Sequence, residues 1–235
     1  MPAVPQEPTL VEGAESSERM RLLPYVLGAL VVVSGVAAAL VVMSGGGSSV
    51  PAQNPAPHLR ASAHSLVVGS SGAPVTVVVY EDFGSVASRT FEISSRDFLR
   101  GEAARGRVLL DYRPVALADG DYSARALAAW GAVLRDGRAS QALAFHDVLF
   151  DRQPAMGEAP REVLALARAA GIKDTAVLDS IATGDDGLVR AATQEAADAG
   201  VHVTPSVRFE GKPLTASSPT ALADELQRLV LKAEG

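Results

Sequence analysis

Two serines three residues apart, Ser85 and Ser88, lie in the stretch YEDFGSVASRTFE, residues 80–92. It follows the apolar run APVTVVVY, so a buried strand feeds a short turn and then a helix. A serine hydroxyl becomes a nucleophile only beside a base. The histidines are His58, His64, His146 and His202. The first two lie in or near a Gly/Ser/Pro-rich segment. His202 is the geometric candidate for a base, but neither an orienting acid nor an oxyanion hole can be named for a serine-dependent hydrolase. The G-x-S-x-G elbow is missing. Glu81 and Asp82, which end the strand, are a carboxylate pair of the kind that tunes proton transfer. With no thiol to serve, they read as polar residues at a strand end. No two histidines are spaced as ligands on one element, so neither a metal nor a cofactor is expected. The chain has 0 cysteines, which excludes disulfides, thiolate catalysis and cysteine-ligated metals within it. Ser85 is well placed to cap the following helix.

The elements that position these residues alternate in type. GAPVTVVVY (72–80) is apolar and β-branched throughout, the pattern of a strand buried on both faces. A helix is predicted over 85–101, then a second buried strand, RVLLDYRPV (107–115), ended by Pro114. Helices follow at 122–135, 139–150, 160–171, 174–183 and 187–199, punctuated by Gly137, Pro154, Gly171, Gly184 and Gly200. TPSVRFEGKPL (204–214) reads as a strand, a turn and a short strand, and a last helix starts with Ser218 as cap and Pro219 in its first turn.

Upstream, residues 22–43, LLPYVLGALVVVSGVAAALVVM, carry no charge and are long enough to cross a bilayer as helix. The apolar core of a cleaved signal peptide is shorter, which favours an uncleaved span. Arg19 and Arg21 precede the stretch and no Lys or Arg follows until Arg60, so the positive-inside rule puts the N-terminus in the cytoplasm. Residues 1–21 then form a disordered cytoplasmic tail, 44–64 a linker rich in Gly, Ser and Pro, and 65–235 an extracytoplasmic domain. A formal charge of −6 leaves no basic footprint for nucleic acid.

Strand, helix, strand, helical insert, hairpin, helix is the order of a thioredoxin-like α/β fold with a helical insertion, here preceded by one transmembrane helix. Four segments in that order, GAPVTVVVYEDF, DYRPVALAD, FHDVLFDRQP and AGVHVTPSVRFEGK, resemble the membrane-anchored DsbA-like branch of the thioredoxin superfamily. Where that family usually reads Cys-Pro-x-Cys, this chain reads Ser85-Val86-Ala87-Ser88. A sulfur at a helix N-terminus is stabilised as thiolate, and a second one three residues on lies on the same face and closes a disulfide. Serine keeps the shape and loses the exchange chemistry. Val86-Ala87 between the serines, and no cysteine elsewhere, fit drift from an ancestral enzyme better than an engineered pair.

The resemblance also implies that Thr204-Pro205 is a cis bond beside the serine turn, the place where the fold takes an extended peptide by strand addition. Its peptide-binding candidates are therefore Ser85, Val86, Ala87, Ser88, Thr204 and Pro205. The resulting expectation is a membrane-anchored, redox-inactive module that binds an extended peptide or an extracytoplasmic protein. The family's thiol–disulfide oxidoreductase activity is the alternative, and it would need thiols supplied by a partner.

Overall fold

The structure is a computed structural model that describes residues 57–118, 120–154 and 162–233. The expected tail, the apolar stretch at 22–43 and most of the expected linker lie outside the described residues. Among those described, no helix is long and apolar enough to cross a membrane.

Six strands form one sheet in the order β1-β2-β4-β3-β5-β6. They are β1 (Leu59–Ala61), β2 (Leu66–Val68), β3 (Val75–Glu81), β4 (Val108–Pro114), β5 (Ser206–Phe209) and β6 (Lys212–Pro213). β3 is central. It runs parallel to β4 and antiparallel to β5, with Val79 opposite Tyr112 on one side and Val207 on the other. The strand propensity of its valines is therefore realised with neighbours on both edges. Side chains alternate between faces. Val75, Val77 and Val79 enter the main core with Phe91 and Leu99 of α1 (Val86–Ala104) and Leu226 and Val230 of α7 (Pro219–Ala233). On the other face, Tyr80 packs with Val115, Ala196 and Val201 in a smaller cluster.

The helical insert comprises α2 (Asp121–Asp136), α3 (Ala139–Asp151), α4 (Val163–Ala169), α5 (Thr175–Thr183) and α6 (Asp186–Asp198). α2 is buried along most of its length, with Trp130 inaccessible and its indole N–H donating to Ala142 O at 3.0 Å. Gly131 lets Leu188 of α6 pack close, since a Cβ would meet Leu188 Cδ1 at 2.4 Å and the leucine would have to shift. The caps follow the sequence. Ser85 accepts from Ser88 N, Asp174 caps α5, and Ser218 accepts from Ala221 N.

The β1–β2 hairpin falls outside the sequence reading, which placed its first strand in the linker and began the sheet at residue 72. Two three-residue strands carry too little periodicity to be seen alone. They are held because Leu66 and Val68 are fully buried against β4.

Candidate functional site

The chain leaves β3 at Glu81 and reaches α1 through Asp82, Phe83, Gly84 and Ser85. Asp82 organises this turn. Its carboxylate is fully buried and takes four hydrogen bonds. Oδ1 accepts from Gly84 N at 2.7 Å and Ser123 Oγ at 2.6 Å. Oδ2 accepts from Leu117 N at 2.6 Å and Ala118 N at 2.7 Å. One side chain thus ties the turn to the β4–α2 loop and to α2, and a buried carboxylate so surrounded needs no further partner. Gly84 fits because any Cβ there would lie 2.2 Å from Ser123 Oγ. From just past the end of α3, Gln153 Nε2 donates to Phe83 O at 2.7 Å and Ser85 O at 3.1 Å.

The two serines differ in what they touch. Ser85 is half-buried at the helix N-terminus, accepts from Ser88 N at 3.2 Å, and donates from Oγ to Thr204 O at 3.4 Å. Ser88 is fully buried, and its Oγ accepts from Asp82 N at 3.2 Å. Thr204-Pro205 is cis, and the loop bearing it lies against Ser85 although 119 residues separate Ser85 from Thr204. Ser85, Thr204 and Pro205 therefore share one surface. Val86 and Val203, 53% and 72% exposed, flank it with apolar side chains. Ser88 lies beneath this surface rather than on it. Among the described residues no histidine is hydrogen-bonded to either hydroxyl, and His202 is exposed. A base for a serine nucleophile is therefore not in place.

Glu81 is fully buried as well, so neither member of the acidic pair is a solvated strand end. Because consecutive side chains leave a strand on opposite faces, Glu81 points away from Asp82's partners and toward α1 and α3. Its Oε1 lies 2.5 Å from His146 Nε2. His146 is enclosed by the rings of Phe83, Tyr112 and Phe150, with centroids 5.7, 4.6 and 5.1 Å away. Glu92 of α1, also buried, accepts from Arg96 Nε at 3.0 Å and Arg100 at 3.2 Å. Arg100 forks onto both oxygens of Asp147 at 2.7 Å and donates to Tyr112 Oη at 3.2 Å.

Burial pushes Glu81 up to about 7, against the pull of His146. Burial alone would lower His146, but the charge of Glu81 and the hydrogen bonds to Asp147 and Glu81 outweigh it and raise the ring to about 9. Burial also opposes ionisation of Asp147, yet the bonds from His146 and Arg100 hold its carboxyl well below the usual range. Tyr112 is pushed well above a phenol's ordinary value, chiefly by burial.

Sequence reasoning missed Gln153, Ser123, Glu92 and Arg100. A signal existed for part of this. Glu92, Arg96 and Arg100 recur at four-residue spacing along one face of α1. Adjacent acids ending an apolar strand must likewise send one side chain to each face.

A sheet with a parallel central pair, a helix starting at its strand end and a cis-proline loop against that helix define a thioredoxin-fold protein whose two exchange positions carry hydroxyls. Residues 61–229 match the thioredoxin family model, and the chain belongs to that family. Solved structures place it near the DsbA-type oxidoreductases. It is similar to reduced DsbA from Mycobacterium tuberculosis, with 28% identity, 72% of this chain and 97% of that one covered, and a TM-score of 0.59. The oxidised form of the same protein gives 32% identity, 69% and 86% coverage, and 0.57. The disulfide oxidoreductase DsbG from Mycobacterium tuberculosis gives 29% identity, 71% and 90% coverage, and 0.58. No curated protein matches.

Proposed function

We propose that this protein is a membrane-anchored, extracytoplasmic binding module. It holds an extended peptide or a protein segment at the Ser85–Thr204 surface and does not exchange disulfides. The observation that carries the reading is the contact of Ser85 Oγ with Thr204 O at 3.4 Å in a chain with 0 cysteines. The turn and the proline loop meet, which supports docking at this surface without a sulfur. Val86 and Val203 offer apolar surface on both sides of that contact, and the strand-addition mode needs little beyond backbone groups and side-chain pockets. Anchoring rests on the uncharged stretch at 22–43 and on the arginines before it.

The test uses the full chain in detergent, with an unfolded reporter polypeptide as ligand. Binding is expected, with no reduction of insulin and no oxidation of added dithiol. Val86→Asp and Val203→Asp each place a charge on exposed positions without disturbing the core, and each should weaken binding about tenfold. Binding indifferent to both would remove the surface from consideration. Dithiol turnover by the purified chain would restore the oxidoreductase reading.

A further inference from the structure

The knot behind the turn leaves polar atoms unpaired. Among the described residues, the acceptors Glu81 Oε2 and Glu92 Oε2 and the donor Arg96 Nη2 are buried with no hydrogen-bond partner, and Arg96 already lies on Glu92. One oxygen of each glutamate and a ring nitrogen of His146 lie within 4.8 Å of one another. Two unpaired carboxylate oxygens in one inaccessible cluster are unfavourable if both groups are ionised. Arg96 and Arg100 serve Glu92, which leaves Glu81 Oε2 as the oxygen in want of a donor.

Every element packed around Glu81 contributes a charged or titratable group. α1 sends Glu92, Arg96 and Arg100. α3 sends His146, with Nδ1 facing Asp147 at 3.3 Å, Arg100 at 3.4 Å and Glu92 at 3.8 Å. β4 sends Tyr112. Asp151 closes the rim on Arg96 at 3.0 Å. A metal ion suits this setting poorly. Two guanidinium groups already occupy Glu92 Oε1, and a divalent cation on the same carboxylate would face both in a low-dielectric interior. His146 would also have to give up its bond to Glu81. A proton needs no space. On Glu81 Oε2 it turns an orphan acceptor into a donor, leaves one carboxylate fewer in the knot, and keeps the contact of Oε1 with His146.

We propose that Glu81 is held as a neutral carboxylic acid in mildly acidic solution, so that the Glu81–Glu92–His146 knot is a proton-binding site that makes the fold firmer in acidic surroundings. Release of the proton to solvent leaves a glutamate anion beside Glu92 and loosens the junction of β3, α1 and α3. The sign follows from linkage. A carboxyl that binds its proton more tightly folded than unfolded gives the folded state the higher proton count, so stability is lost as pH rises. For Glu81 that loss spans the interval from 4.5 to about 7. For His146, also raised, it spans 6.5 to about 9, so the two act in the same direction. This device is independent of whether the surface above it binds peptide.

Infrared spectra of the full chain should show a protonated carboxyl band near about pH 6 that vanishes through about pH 8 and is missing from Glu81→Gln. Denaturant unfolding should give a folding constant at least about tenfold lower at about pH 8.5 than at about pH 5.5. In Glu81→Gln, which resembles the protonated form in shape, that slope should be shallower by close to one proton. If Glu81→Gln does not fold, the wild-type infrared titration decides alone. The proposal is overturned if no such band exists at about pH 6, if the variant keeps the full slope, or if zinc raises the unfolding midpoint while both carboxylates are ionised.

Discussion

Ser85 and Ser88 keep the contacts of a helix-capping turn in a chain with no sulfur at either position. Ser85 still caps α1 and still reaches Thr204, while Ser88 fills its buried position and accepts from Asp82 N. The sulfur that forms S–S bonds is missing, and Val86 stands where the family usually has proline. Restoring it is a direct measure of what else has drifted. The double variant Ser85→Cys/Ser88→Cys should form an intramolecular disulfide under mild oxidant and gain measurable dithiol oxidation, because the helix end and the proline loop are both in position. Thiol counting after oxidation and an insulin assay read the outcome. A variant that folds but leaves both thiols free would show that the turn no longer permits the bond. The single variant Ser85→Cys should give neither, since the resolving sulfur would be missing.

At the scale of elements, the turn is shaped by three neighbours that the local sequence does not contain. Asp82 fastens it to the β4–α2 loop and to Ser123 of α2, and Gln153 at the end of α3 holds the carbonyls of Phe83 and Ser85. Gln153→Ala removes two hydrogen bonds from a half-buried side chain and should cost about 1–2 kcal/mol. The loss should be local before it is global. Amide exchange at Gly84 and Ser85 is expected to rise at least several-fold while core strand amides of β3 change little. Equal acceleration throughout the sheet would mean that Gln153 supports the whole fold rather than the turn. Apart from the β1–β2 hairpin, the elements were legible in the sequence with small shifts at their ends. α1 runs three residues beyond the predicted end, to Ala104, where Arg105 takes over as cap and Gly106 turns the chain at positive φ.

Over the whole molecule, the β1–β2 hairpin forms one edge of the sheet and brings the chain in from the N-terminal segment. Leu66 and Val68 are fully buried in the main core, each worth about 1.5–3 kcal/mol of burial. A fragment of residues 51–235, which forms one compact unit, should unfold cooperatively and remain in the soluble fraction. The full chain should sediment with membranes. Starting the fragment at residue 70 instead should lower its stability by roughly 3–5 kcal/mol, read as a lower denaturant midpoint. An unchanged midpoint would mean that the hairpin is an ornament on the sheet. His64 adds a second tie from this region, its Nδ1 lying 3.1 Å from Glu195 of α6, which also takes Arg113 at 2.8 Å.

The local code was sufficient for the order of strands and helices, the caps at Ser85 and Ser218, and the want of sulfur, because periodicity, capping and composition act over a few residues. Long-range placement was beyond it. That three of the four donors to Asp82 come from distant segments, that Glu81 turns inward onto His146, and that Ser85 meets Thr204 all follow from packing among residues 35 to 119 positions apart. A carboxylate's neighbours in the chain do not reveal whether it will meet water or a buried ring. Only the assembled sheet, with Glu92 of α1 and His146 of α3 brought to the end of β3, supplies the donors and the low dielectric that settle which charges survive there.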